Sequence, residues 1–171
     1  MRSWATFTGP LRTAIHSLKY QQNMGLGTLL AEPMSALLEH LQWQVDLITA
    51  VPLSRQRITE RGYNQSYLLA RPIALTHCIP FVPQAVKRTR NTPSQVGLNA
   101  PERRKNVTGA FSASPKFVKA KSVLLVDDVA TTGATLTAST QALLAAGAKQ
   151  VYALTLARAV FKNANSGGEK E

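Results

Sequence analysis

The segment Val123-Leu124-Leu125-Val126-Asp127-Asp128-Val129-Ala130-Thr131-Thr132-Gly133-Ala134-Thr135-Leu136 leaves this chain few folds to choose from. An unbroken aliphatic run reads as a strand buried on both faces, and such strands belong to parallel sheets covered by helices. From Thr135 to Ala146, Leu136, Thr140, Leu143 and Leu144 recur at helical spacing, and Gly147 supplies a stop. The segment therefore predicts strand, polar turn and helix.

The turn carries the chemistry. A helix start offers backbone N–H groups without carbonyl partners and a partial positive charge, and Thr131, Thr132 and Thr135 add hydroxyl donors. Gly133 lets the backbone come close to an anion. Asp127 and Asp128 would repel that anion if they faced it, so they suit the vicinal hydroxyls of an attached sugar. A ribose 5-phosphate meets both demands. Taken alone, the two acids also fit a turn in which a threonine caps the helix.

The rest of the chain repeats the alternation. Leu47–Pro52 reads as a short strand, followed by an arginine-rich turn and a helix from Asn64 to Thr76 that Pro72 should kink or stop. Phe81–Val86 and Val151–Leu156 read as further strands. Ahead of them, Leu11 to Leu41 suits two helices broken around Gly25–Gly27, with Pro33 in a first turn. In parallel sheets ligands bind at the carboxyl ends of the strands, so the loops after Pro52, Val86 and Val126 should share one rim. Lys87–Val107 is a long polar stretch, of the kind that is functional or disordered.

At 171 residues the chain is expected to form one domain: a helical N-terminal segment over 1–45, a core over 46–161 and a flexible tail over 162–171. Cys78 is the single cysteine, so it forms no internal disulfide and reads as a small core residue in a reducing compartment. Without a long apolar run or a signal core, a soluble cytoplasmic protein is expected. His16, His40 and His77 lack ligand spacing. Twenty Lys and Arg against nine Asp and Glu give a formal charge of +11, which favours polyanionic partners.

The Val123–Leu136 segment resembles the phosphoribosyl-pyrophosphate signature of type I phosphoribosyltransferases. With Val51-Pro52-Leu53-Ser54, Arg57, Arg61-Gly62-Tyr63-Asn64-Gln65-Ser66, Gln95, Glu102-Arg103, Asn106-Val107 and Gly109-Ala110-Phe111, the chain is similar to the ComF family, which is linked to DNA uptake in competent bacteria. The resemblance spans about Ser17 to Leu156 and implies an α/β fold with a mainly parallel central sheet, a helical N-terminal segment and a hood loop. It makes Asp127 and Asp128 the ribose-hydroxyl pair and the catalytic acids, with Val129, Ala130, Thr131, Thr132, Gly133, Ala134 and Thr135 completing the sugar and phosphate site. Leu53, Ser54 and Arg55, with Lys87 and Arg88, would bind pyrophosphate, and Arg90, Gln95, Arg103, Arg104 and Asn106 would belong to the hood. Longer members begin with a four-cysteine zinc ribbon, which nothing before Ser17 resembles.

The implied chemistry is displacement of pyrophosphate from the ribose by a nitrogen acceptor of unknown identity, with magnesium carried mainly by the substrate and no dedicated protein site. Magnesium suits that role because it binds chiefly phosphate and water. Catalysis would rest on positioning and charge stabilisation. Two rivals stay open: a sensor that binds phosphoribosyl pyrophosphate or a nucleotide without turnover, and a single-stranded DNA binder within the competence machinery. The resemblance also makes a homodimer plausible.

Overall fold

A computed structural model describes residues 1–90 and 100–160, with only the backbone of Ala100, Arg103 and Arg104. In chain order the elements are β1 (Arg2–Thr6), α1 (Gly9–Tyr20), α2 (Leu26–Leu41), β2 (Leu47–Ala50), α3 (Arg55–Arg61), α4 (Gln65–Thr76), β3 (Val86–Arg88), α5 (Ala100–Val107), β4 (Phe111–Ala113), α6 (Pro115–Val118), β5 (Ser122–Ala130), α7 (Ala134–Ala145) and β6 (Gln150–Arg158). The main sheet runs β1-β6-β5-β2 with every pairing parallel, and β3 and β4 form a separate antiparallel pair.

Two aliphatic cores cover the sheet. On one side Leu124, Val126 and Leu154 pack against Ile15 and Leu18 of α1, Met34 and Leu38 of α2, and Leu69 and Ile73 of α4. On the other, Val123 and Leu125 meet Leu136 and Leu143 of α7, Val86, Val107, Phe111 and Val118. Burying each such aliphatic side chain contributes about 1.5–3 kcal/mol, which places much of the organising energy in β5, the strand that carries the acids.

Several expectations change. β1 was not read as a strand, because Arg2-Ser3-Trp4-Ala5-Thr6 is an edge strand with alternating exposure and no aliphatic run. Phe81 makes only a single parallel bridge to Ile48, after which Pro83–Ala85 turns as a 3₁₀ segment and leads into β3. Leu144 is exposed, and Ser139 takes the buried place on α7. Cys78 is also exposed, in the left-handed turn after α4, rather than in the core.

The prolines neither stop nor start their helices, since Pro33 and Pro72 lie inside α2 and α4. Proline at 72 cannot donate to the Leu68 carbonyl. Gly27 of α2 packs on that spot: a Cβ there would stand 2.7 Å from Leu68 Cβ and 3.0 Å from its carbonyl oxygen. The missing helical bond and the glycine together let α2 and α4 approach closely over the sheet.

Candidate functional site

β2 and β5 are neighbours in register, with Ala50 opposite Val126 and the Val51 N–H donating to the Val126 carbonyl at 2.9 Å. The chain leaving β2 and the acid pair of β5 therefore emerge side by side at the carboxyl edge of the sheet. Asn64 ties the corner: its amide donates to the Val51 carbonyl at 2.9 Å, and its Oδ1 accepts from the Ser66 N–H at 2.9 Å, capping α4. Gly62, at φ 79°, ends α3 just before it.

The two carboxylates do not stand open. Asp127 is 8% and Asp128 4% exposed, and their side-chain partners, Ser66 and Lys19, come from α4 and α1. Ser66 Oγ donates to Asp127 Oδ1 at 2.9 Å, and that same oxygen accepts the Asp128 N–H. Asp128 Oδ1 accepts the Val129 N–H, while its Oδ2 lies 2.6 Å from Lys19 Nζ. The latter is an ion pair whose angle falls short of a directional hydrogen bond. The two acids expected to face a sugar are thus covered and internally braced.

Burial and the neighbouring Asp128 charge push the Asp127 carboxyl up to about 7, against the opposing pull of Ser66, Lys19 and the Asp128 N–H. For Asp128 burial also favours the neutral form, but the Lys19 charge and contact, the Val129 N–H and the Arg61 charge outweigh it and hold the carboxyl below its ordinary value. Near neutral pH the pair is best described as one firmly ionised acid and one poised to titrate.

The sequence assigns Lys19 and Ser66 no carboxylate partner, because those partners lie on a strand far along the chain. A buried network extends from them. Arg61 donates to Gln65 Oε1 at 2.8 Å and to the Tyr20 hydroxyl at 3.3 Å, and its guanidinium lies 4.9 Å from the Tyr20 ring centre. Tyr63 donates to the Leu18 carbonyl, fastening the end of α1 to this corner.

Beyond the acids, β5 continues through Val129 and Ala130, which pair with Ala157 and Arg158, so the turn proper is Thr131–Gly133. Gly133 caps α7 at φ 73°, in the region that favours glycine, and a Cβ there would meet nothing within 4 Å. The Ala134 N–H makes a long contact, 3.4 Å, with Thr132 Oγ1. Thr131 is exposed, Thr132 and Thr135 are half-buried, and the first turn of α7 points its amides along this loop.

Ser54 caps α3 by accepting the Arg57 N–H at 3.3 Å, and it is buried beside half-buried Leu53 and exposed Arg55. Lys87 and Arg88 come from β3, outside the main sheet, yet burial and then the Arg57 charge lower the Arg88 pKa. Arg88 also lies over the Phe111 ring at 5.4 Å. Arg90 is committed elsewhere: it donates to the Asn106 and Thr108 carbonyls at 3.3 and 2.8 Å, pinning the end of α5. Gln95 lies outside the described residues, as do the side chains of Arg103 and Arg104 on α5.

Among the described residues no three His, Cys, Asp or Glu are grouped to hold a metal ion. Asp128 already has the Lys19 ammonium as its cation. Among the described residues no helix is long and apolar enough to cross a membrane.

Residues 64–170 match the family model described as the phosphoribosyl transferase domain. The DNA utilization protein YhgH of Escherichia coli strain K12 is 34% identical over 90% of this chain and 70% of its own length. Competence protein F of Haemophilus influenzae is 35% identical over 88% of this chain and 69% of its own. Among solved structures, adenine phosphoribosyltransferase from Saccharomyces cerevisiae superposes with a TM-score of 0.53 at 20% identity, over 82% of this chain and 72% of that one. That last likeness is one of fold.

Proposed function

The chain belongs to the phosphoribosyl transferase domain family and has the type I phosphoribosyltransferase fold, and from that premise we propose that it binds phosphoribosyl pyrophosphate and transfers its phosphoribosyl group to a nitrogen acceptor. The observation that carries the reading is the juxtaposition near the end of β5: two buried acids, the second of them five residues before the glycine that caps a helix start. The α7 amides and threonine hydroxyls would take the 5-phosphate. The acid pair would take the ribose hydroxyls. Leu53, Ser54 and Arg55, flanked by Lys87 and Arg88, would receive the pyrophosphate.

As pyrophosphate leaves the ribose carbon, positive charge grows on the ring, and a fixed carboxylate charge beneath it favours that transition state. Magnesium bound to the pyrophosphate would supply charge neutralisation on the leaving group. The chain's own residues orient the sugar and exclude water around it, with no nucleophilic side chain assigned. The names of the relatives support a link to DNA use and competence, and the exposed Arg55 and Lys87 suit contact with a phosphate backbone.

Incubation with magnesium, phosphoribosyl pyrophosphate and a panel of bases and amines tests the proposal. Pyrophosphate release with formation of a phosphoribosyl product is expected. Calorimetric binding without release over the whole panel would favour the sensor instead, and absence of binding would end the reading.

A further inference from the structure

Lys19 sits near the end of α1, an element to which the phosphate and sugar assignments give no part. Its ammonium nevertheless reaches Asp128 Oδ2 at 2.6 Å, with side-chain exposures of 20% for the lysine and 5% for the acid. Adjacent carboxylates on a buried strand cannot both be ionised without a cation close by. Lys19 supplies it from α1 and Arg61 from α3, whereas α4 offers only the neutral Ser66 hydroxyl, to Asp127.

We infer that Lys19 is a positioning residue of this site: by pairing with Asp128 it keeps that carboxylate charged and fixed, which leaves Asp127 as the acid that meets the sugar hydroxyls. The inference rests on the function proposed above and refines it by giving the two acids different work. The geometry separates them. Asp128 has one oxygen on the Val129 N–H and the other on Lys19, at 4% exposure. Asp127 gathers both of its contacts, from Ser66 and from the Asp128 N–H, on Oδ1, which leaves Oδ2 for a hydroxyl.

When the sugar hydroxyls donate to Asp127, a proton held by its carboxyl passes to the buffer, and no other bond changes. The opposite displacements of the two carboxyls, up for Asp127 and down for Asp128, agree with this division.

The test uses the full chain and its Lys19→Met and Lys19→Arg variants, each checked for folding by circular dichroism. Carbon NMR of the aspartate carboxyls reads their titrations, and calorimetry reads the affinity for magnesium phosphoribosyl pyrophosphate between pH 6 and 8.5. In Lys19→Met the lower titration step of the pair should rise, and affinity at neutral pH should fall about tenfold, the equivalent of one pH unit. Affinity should recover as pH rises, and Lys19→Arg should restore both readings. Unmoved titration steps in Lys19→Met would overturn the inference, as would a loss of affinity equal at every pH. If the parent chain binds no ligand at all, the functional reading falls and the sugar-facing role of Asp127 with it. The NMR steps would in that case still decide, separately, whether Lys19 holds Asp128.

Discussion

Replacing Asp127 with asparagine should make this protein more stable above neutral pH while weakening its site. The Asn side chain keeps the shape and can accept the Ser66 hydroxyl and the Asp128 N–H on its own Oδ1. What it removes is a buried charge. Between its ordinary 3.8 and about 7, the folded chain holds a proton that the unfolded chain has lost, so stability falls as pH rises through that window. At 1.36 kcal/mol per pH unit, ionised Asp127 costs at most about 4 kcal/mol at pH 8. Two effects reduce the gain: the new amide N–H groups need acceptors, and Asp128 relaxes when its charged neighbour is gone. The expected gain is about 1–3 kcal/mol at pH 8 and near zero at pH 5. Guanidinium unfolding of both proteins at the two pH values, followed by tryptophan fluorescence, measures it. Groups that do not interact with position 127 cancel in the difference. An Asp127→Asn variant less stable at pH 8, or stabilised equally at both pH values, would refute the reasoning.

Other consequences follow from the same geometry. Ser66→Ala removes a hydroxyl that favours the Asp127 anion, so carbon NMR should show that carboxyl titrating at higher pH, with stability reduced by about 1 kcal/mol. Gly27→Ala should cost about 1–3 kcal/mol in chemical unfolding, because its Cβ would overlap Leu68. Gly25→Ala, whose Cβ would only touch Asn23 Oδ1 at 3.8 Å, should be nearly neutral in the same assay. Gly133→Ala meets no neighbour but must hold φ near 73°, a strain of about 1–2 kcal/mol; calorimetry should show weaker phosphate-ester binding by a folded protein.

Much of this site was legible because its parts are local. The aliphatic run of β5, the acids that follow it and the glycine before α7 are written within a few residues of one another, the Asn64 cap lies directly before its own helix, and each has its own physical reason. Long-range contacts were not legible. Nothing near Lys19 or Ser66 announces a carboxylate partner on β5, and the burial that turns the acids inward depends on helices α1, α3 and α4 converging over the strand end. Pro33 and Pro72 misled for a related reason, since a helix tolerates proline when tertiary packing compensates, as Gly27 does against Leu68. β1 escaped because an edge strand needs hydrogen bonds from β6 more than an apolar sequence of its own.

The most direct measurement is an amide NMR titration with ribose 5-phosphate beside one with inorganic phosphate. Both ligands should shift the amides of Thr131–Leu136, and only the sugar phosphate should also shift Asp127, Asp128 and Val129. Perturbations lying away from the end of β5, or identical for the two ligands, would contradict the account.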